Sequence, residues 1–192
     1  MRISIDLDDV IFNTIPLYKL AFKEVGRTFV KPTNWDLTQC YDDIIIKKLF
    51  EFFVSDILYT MPLIDKKIPT ILNGLMQNPD LQIFFVTQRV AKNPNKTYQQ
   101  LLNAGIKCSF DQVFDKMGDK SDILHDEVKT DLHFDDSPYV INGCIKKNVP
   151  IVMISNNTTK YNHSLRDKVE HYKNLRSALI QKGIYTRQPY TI

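Results

Sequence analysis

The chain has 192 residues, 43% of them hydrophobic and 24% charged, the make-up of one ordinary soluble domain or of a domain carrying a modest insertion. Its formal net charge of +3 is too small to argue for a nucleic-acid-binding surface and suits a small anionic ligand equally well. No run approaches the ~20 apolar residues of a membrane helix, Asp6 interrupts any apolar stretch of signal-peptide length, and Cys40, Cys108 and Cys144 show no zinc or disulfide spacing; the expectation is a reduced, cytoplasmic protein.

In chain order, the first element is a strand over "RISID" (2–6), which ends in three carboxylates, Asp6, Asp8 and Asp9. These repel one another at neutral pH, so a fold that gathers them needs a cation or a chemical use for the charge. Residues 15–75 contain no convincing strand; the pieces "IPLYKLAFKEVG" and "DDIIIKKLFEFFVSDIL" are amphipathic, with the loop "KPTNWDLTQ" between them. An all-helical insertion after the first strand follows. Three more apolar, β-rich runs, "LQIFFVT" (81–87), "DLHFDD" (131–136) and "PIVMIS" (150–155), read as buried parallel strands, with a shorter one in "FDQVF" (110–114). A helix over 95–105 shares Tyr98, Leu101 and Leu102 on one face and stops at Gly105. The stretch 156–183 reads as a loop followed by a solvated amphipathic helix, and the last residues, "YTRQPYTI", as an exposed tail.

Strands alternating with helices give an α/β fold, a Rossmann-like doubly wound parallel sheet, with residues 1–14 and 76–192 as its core and a small helical cap over 15–75. In such sheets ligands gather beyond the C-terminal strand ends. Asp6 and Asp8 follow the first strand, Thr87 ends the second, and Asp135 and Asp136 end "DLHF". Two carboxylates two residues apart can serve as nucleophile and proton donor. With Asp135 and Asp136 alongside they make a hard-oxygen site suited to Mg²⁺, and a Thr hydroxyl with a Lys ammonium can bind phosphoryl oxygens. Taken singly, "DLDD" is a solvated turn and Thr87 a strand-ending β-branched residue; it is their common edge that makes them a set. An EF-hand is disfavoured, since no Gly stands at the sixth loop position. His125, His133, His163 and His171 have no ligand spacing, and His133 reads as a satisfied sheet residue.

On these residues the sequence resembles the haloacid dehalogenase (HAD) superfamily: "DLDDV" is similar to its DxDx[TV] first motif, "IFFVT" to the second and "LHFDD" to the fourth. For the third motif, a lysine, Lys96 is the first choice, with Lys92 and Lys120 as competitors. Within the superfamily the chain resembles the 5′(3′)-deoxyribonucleotidases, through the helical insertion, the approach "MPLIDKKIPTILNGL" to the second strand and "DKSDILHDEVKTDLHFDDSP" to the fourth motif. The resemblance covers most of residues 1–140. It implies a phosphomonoesterase acting on nucleoside monophosphates: Asp6 attacks phosphorus, Asp8 protonates the leaving oxygen and then activates water, Mg²⁺ is held by Asp6, the Asp8 backbone carbonyl and Asp135, and Asp136 is a supporting acid. For Asp8 to give up a proton near neutral pH its pKa must be raised. Trp35 is the first candidate for stacking on a base, with Phe12 and Tyr59 weaker, and Arg89 suits a phosphate contact. The sequence departs from the family in having Asp9 where many members have Gly, and "QRVAKNP" after Thr87. A capped phosphatase for a sugar phosphate, and a non-enzymatic phospho-acceptor domain, are the rivals; neither nucleic acid nor membrane is an expected partner, and a homodimer is compatible with the family.

Overall fold

A computed structural model describes residues 1–89, 93–116, 118–155 and 165–186. Six parallel strands form one sheet: β1 (Arg2–Ile5), β2 (Gln82–Thr87), β3 (Val113–Asp115), β4 (Leu132–Asp135), β5 (Ile151–Ile154) and β6 (Glu170–Tyr172), in the order β3-β2-β1-β4-β5-β6. The reversal of strand order on the two sides of β1 is that of a doubly wound sheet, and it opens a crevice at the C-terminal ends of β1, β2 and β4. The α/β expectation is met. The sixth strand is a correction: "EHY" lies in the stretch read as loop and helix, because a short, polar edge strand carries none of the apolar alternation that marks a buried one.

Period-two alternation splits each central strand between two different interiors. One face presents Ile3 and Ile5, Ile83 and Phe85, Leu132 and Phe134, Val152 and Ile154, all in a single apolar cluster. The opposite face has Phe84 and Val86 on β2, packed near Ile123, Leu124, Val140 and Cys144. On β1 and β4 that second face is polar, with Ser4 and His133 in register and both fully buried.

Between β1 and β2 the described chain holds no strand. It forms α1 (Ile15–Glu24), α2 (Asp43–Phe53) and α3 (Ile68–Leu75), with short 3-10 turns at Leu37–Gln39 and Asp56–Thr60. Proline in the first turn of α1 and α3, and the Asp42 side chain accepting from Ile45 N–H at α2, start these helices. Leu17, Phe22, Ile45, Leu49, Phe52 and Leu58 join the first apolar face, as do Ile68, Ile71 and Leu72 of α3. Asn73 ties α3 to the next unit, donating to Gly105 O at 2.8 Å and accepting from Lys107 N–H at 2.8 Å.

The helix expected over 95–105 is α4 (Pro94–Asn103), capped by Asn93, and Gly105 (φ 86°) closes it in the left-handed region that favours glycine. Its fully buried side chains are Thr97, Gln100 and Leu101, so the inward face is more polar than its apolar residues suggest. A short helical turn, α5 (Lys120–Asp122), runs into a π-helical turn (Ile123–Val128) before β4; α6 (Pro138–Lys146) follows β4, and α7 (Leu175–Gln181) follows β6. Among the described residues no helix is long and apolar enough to cross a membrane. Lys92, His163 and the end of the tail lie outside the described residues.

Phe85 is fully buried in the middle of β2, hydrogen-bonded between β1 and β3. Phe85→Ala should lower unfolding free energy by about 3–5 kcal/mol, read from urea denaturation.

Candidate active site at the C-terminal sheet edge

Strand β1 ends by placing Asp6 beside β4, its N–H donating to Phe134 O at 2.9 Å. The chain then turns tightly: Asp9 N–H donates to Phe12 O, and both Ile11 and Phe12 donate to Leu7 O. Asp9 has φ 60°, the conformation for which glycine is the easy residue. Its carboxylate compensates by accepting from Thr14 N–H at 3.1 Å and Thr14 Oγ–H at 2.6 Å, which anchors the start of α1. The departure from the family pattern at this position is thus a turn that secures the helical insertion.

The centre of the site is an ammonium group between two carboxylates. Lys120 Nζ donates to Asp6 Oδ1 at 2.5 Å and to Asp135 Oδ2 at 2.9 Å, and all three residues are buried. Asp135 is held on its remaining sides by Ser137 N–H at 2.7 Å on Oδ1 and His133 Nε2–H at 2.9 Å on Oδ2. On the other side of the ring His133 Nδ1 lies 2.8 Å from Ser4 Oγ, whose O–H donates to Thr130 Oγ1 at 2.9 Å. Burial lowers the His133 pKa, against the opposing pull of Asp135. The expectation of a satisfied sheet histidine is met, and its partner is a site carboxylate.

Burial pushes Asp6 up to about 7; Lys120 opposes this, while Asp135 and Asp8 reinforce it. The same burial acts on Asp135, but Lys120 and His133 outweigh it and hold that carboxyl below its usual range. The two carboxylates differ, although they share one lysine, because Asp135 has extra donors and Asp6 has extra anions beside it. Asp136, buried next to Asp9, Asp135 and Asp6, is raised well above the ordinary value. Burial disfavours the Lys120 charge, yet Asp135 and Asp6 raise its pKa.

The lysine in this cluster is Lys120 and not Lys96. Lys96 is exposed on the first turn of α4 and pairs with Asp56, itself in the 3-10 turn Asp56–Thr60. Local sequence favoured a lysine near Thr87, but α4 turns that side chain toward solvent, whereas α5, joined to β4 through the π-helical turn, aims Lys120 inward. Asp8 leaves the cluster for another cation: Arg89 Nε and Nη2 donate to its two carboxylate oxygens at 3.0 and 2.6 Å. Arg89, expected at a phosphate, is 4% exposed and its fork is taken up by Asp8. Thr87 ends β2 in register with Asp115 and is buried, and it is Gln88 and Arg89 that line the adjoining cavity.

That cavity measures about 330 Å³ and is lined by Asp6, Asp8, Asp136 and Lys120 together with Tyr18, Trp35, Phe53 and Leu58 from the helical insertion. Trp35 lines it while 41% exposed. Phe12 is buried in the apolar core, and Tyr59 lies against Arg89 with its ring 5.3 Å from Cζ; neither lines the cavity. Asp6, Asp135 and Asp136 each bring a carboxylate oxygen within 4.8 Å of the others. Three buried hard-oxygen donors of this kind fit Mg²⁺.

Neither a protein-family model nor a curated protein matches the sequence. Solved structures do match the fold. A haloacid dehalogenase-like hydrolase from Streptococcus pneumoniae superimposes with a TM-score of 0.67 at 14% identity, covering 95% of this chain and 97% of that one. A HAD family hydrolase from Deinococcus radiodurans, solved with bound phosphate and sodium, gives 0.62 at 12% identity, covering 97% and 98%. A HAD hydrolase from Bacillus subtilis bound to magnesium gives 0.56 at 15% identity, covering 95% and 98%. The fold is that of the HAD-like hydrolases.

Two expectations test the electrostatics. A carboxyl whose pKa is higher folded than unfolded contributes its full stabilisation only below the unfolded value, and loses it as pH rises to the folded value; for Asp6 that window runs from 3.8 to about 7. Mg²⁺ should therefore raise Tm strongly near about pH 8, where it offsets uncompensated carboxylates, and little near about pH 5, where it must displace protons. In urea denaturation Lys96→Ala should change stability by less than about 0.5 kcal/mol, while Lys120→Met should cost about 3–5 kcal/mol by leaving buried carboxylates unpaired.

Proposed function

We propose that the protein is a Mg²⁺-dependent phosphomonoesterase for nucleoside monophosphates, deoxyribonucleotides in particular, working through an aspartyl-phosphate. The observation that carries the reading is Asp6 held by Lys120 in a cavity that Asp8 also lines. A nucleophilic carboxylate and a second acid share one edge, with a buried cation beside them. The phosphate found in the Deinococcus radiodurans neighbour supports the substrate class.

In the first half-reaction an Asp6 carboxylate oxygen forms a bond to phosphorus, the bond from phosphorus to the ester oxygen breaks, and that oxygen takes a proton from Asp8. In the second, Asp8 takes a proton from water as the water oxygen bonds to phosphorus, releasing phosphate and restoring the Asp6 carboxylate. Lys120 keeps Asp6 in line and carries positive charge at the point where phosphoryl oxygens arrive. Asp6 and Asp135, with the Asp8 backbone carbonyl and with Asp136 alongside, are the groups to hold Mg²⁺. When bound, the ion would neutralise charge on the transferring phosphoryl group. Thr87 is the hydroxyl proposed for that phosphoryl group.

Residues 15–75 act in this reading as a cap that shelters the acyl phosphate from bulk water. Tyr18, Trp35 and Phe53 give the cavity an aromatic lining suited to a base. Its volume of about 330 Å³ lies at the small end of the ~300–1,000 Å³ typical of ligand sites, which fits a mononucleotide and not a nucleic-acid chain.

The test is phosphate release from 5′- and 3′-deoxyribonucleotides, ribonucleotides, sugar phosphates and 4-nitrophenyl phosphate, with Mg²⁺ or chelator. Asp6→Asn should abolish metal-dependent turnover. Asp8→Ala should slow it by roughly 10²–10⁴-fold, the range for a general acid–base residue, with metal binding retained. Turnover confined to sugar phosphates would keep the chemistry and reject the nucleotide assignment. Normal activity in Asp6→Asn would reject the mechanism.

A further inference from the structure

In the proposed reaction Asp8 has two proton transfers to perform, and its carboxylate is held by the Arg89 guanidinium. Both residues line the cavity, with the Arg89 side chain 1% exposed and that of Asp8 26%, so the cation is the more deeply buried of the pair. Arg89 is itself held. Its Nη1 donates to Gln100 Oε1 at 2.7 Å, and Gln100 Nε2 reaches Leu58 O at 3.4 Å. The Tyr59 ring covers the guanidinium, and Asp115 adds charge from the end of β3. Three separate pieces of chain, α4, the end of β3 and the turn Asp56–Thr60, thus converge on one side chain whose remaining fork points at Asp8.

A guanidinium fork with two parallel N–H donors fits a carboxylate, which is the proton-accepting form of Asp8. We propose that Arg89 is a positioning residue that holds Asp8 as the base for the second half-reaction, so that it governs hydrolysis of the aspartyl-phosphate and not its formation. The inference rests on the phosphatase reading. In the step it governs, the Asp8 carboxylate takes a proton from water, the water oxygen bonds to phosphorus, and the bond from phosphorus to Asp6 breaks with its electron pair returning to the Asp6 carboxylate. Asp8 then carries the proton that the next ester oxygen will take.

The experiment is rapid-mixing kinetics of the wild type, Arg89→Gln and Arg89→Lys with Mg²⁺ and 4-nitrophenyl phosphate, whose phenolate departs without needing a proton. Arg89→Gln should release a burst of about one nitrophenolate per protein and then turn over roughly 30-fold or more slowly, below the full ~10²–10⁴ worth of a general base because Asp8 is still present. The phosphoryl group should be found on Asp6 by mass after acid quench. Arg89→Lys keeps the charge without the fork; it should show the same burst with a smaller loss, and it carries the test should the Gln variant fail to fold. Equal losses without a burst or phosphoenzyme, or no loss, overturn the Arg89 assignment while the phosphatase reading stands. A wild type silent toward every phosphate overturns both.

Discussion

Everything at this sheet edge depends on the Lys120 ammonium lying between Asp6 and Asp135. Two carboxylates converge there from adjacent parallel strands, and burial would drive either of them to its neutral form without a counter-charge. The lysine is out of water to the same degree as its partners. A buried pair of this kind adds little net stability over a well-packed apolar core, and it is costly to break.

The polar layer extends beneath the site for the same reason. Ser4 and His133 stand two residues before Asp6 and Asp135, so strand alternation puts them on the same face. They supply Asp135 with a donor that solvent cannot reach. The opposite face of the same strands is wholly apolar. The result is a sheet whose one side provides cohesion while the other, at β1 and β4, is given to holding charge.

A second cation divides the acids into two groups. Lys120 gathers Asp6 and Asp135, and Arg89 draws Asp8 aside toward α4 and the turn Asp56–Thr60. In the proposed reaction the partition separates the carboxylate that attacks from the one that moves protons. Because Gln100 bonds Arg89 and also reaches Leu58, Asp8 is tied through Arg89 to the same helical insertion that lines the cavity.

The amino-acid sequence by itself determined the α/β alternation, the helical stretch after β1 and the clustering of Asp6, Thr87, Asp135 and Asp136 at strand ends. These follow from local apolar periodicity and from the rule that parallel strands carry their sites at C-terminal ends. Only the tertiary structure decided which lysine joins the carboxylates. Lys96 and Lys120 both lie in a first helical turn opened by an Asn or Asp cap, and nothing local tells the exposed first turn of α4 from the buried turn of α5. It also decided that Arg89 is buried against Asp8, and that Thr97 and Gln100 face inward from α4. These are contacts between residues far apart in the chain, 81 positions in the case of Arg89 and Asp8. The strand β6 was settled by the sheet as well, since a three-residue polar strand is defined by the neighbour it pairs with and not by its own side chains.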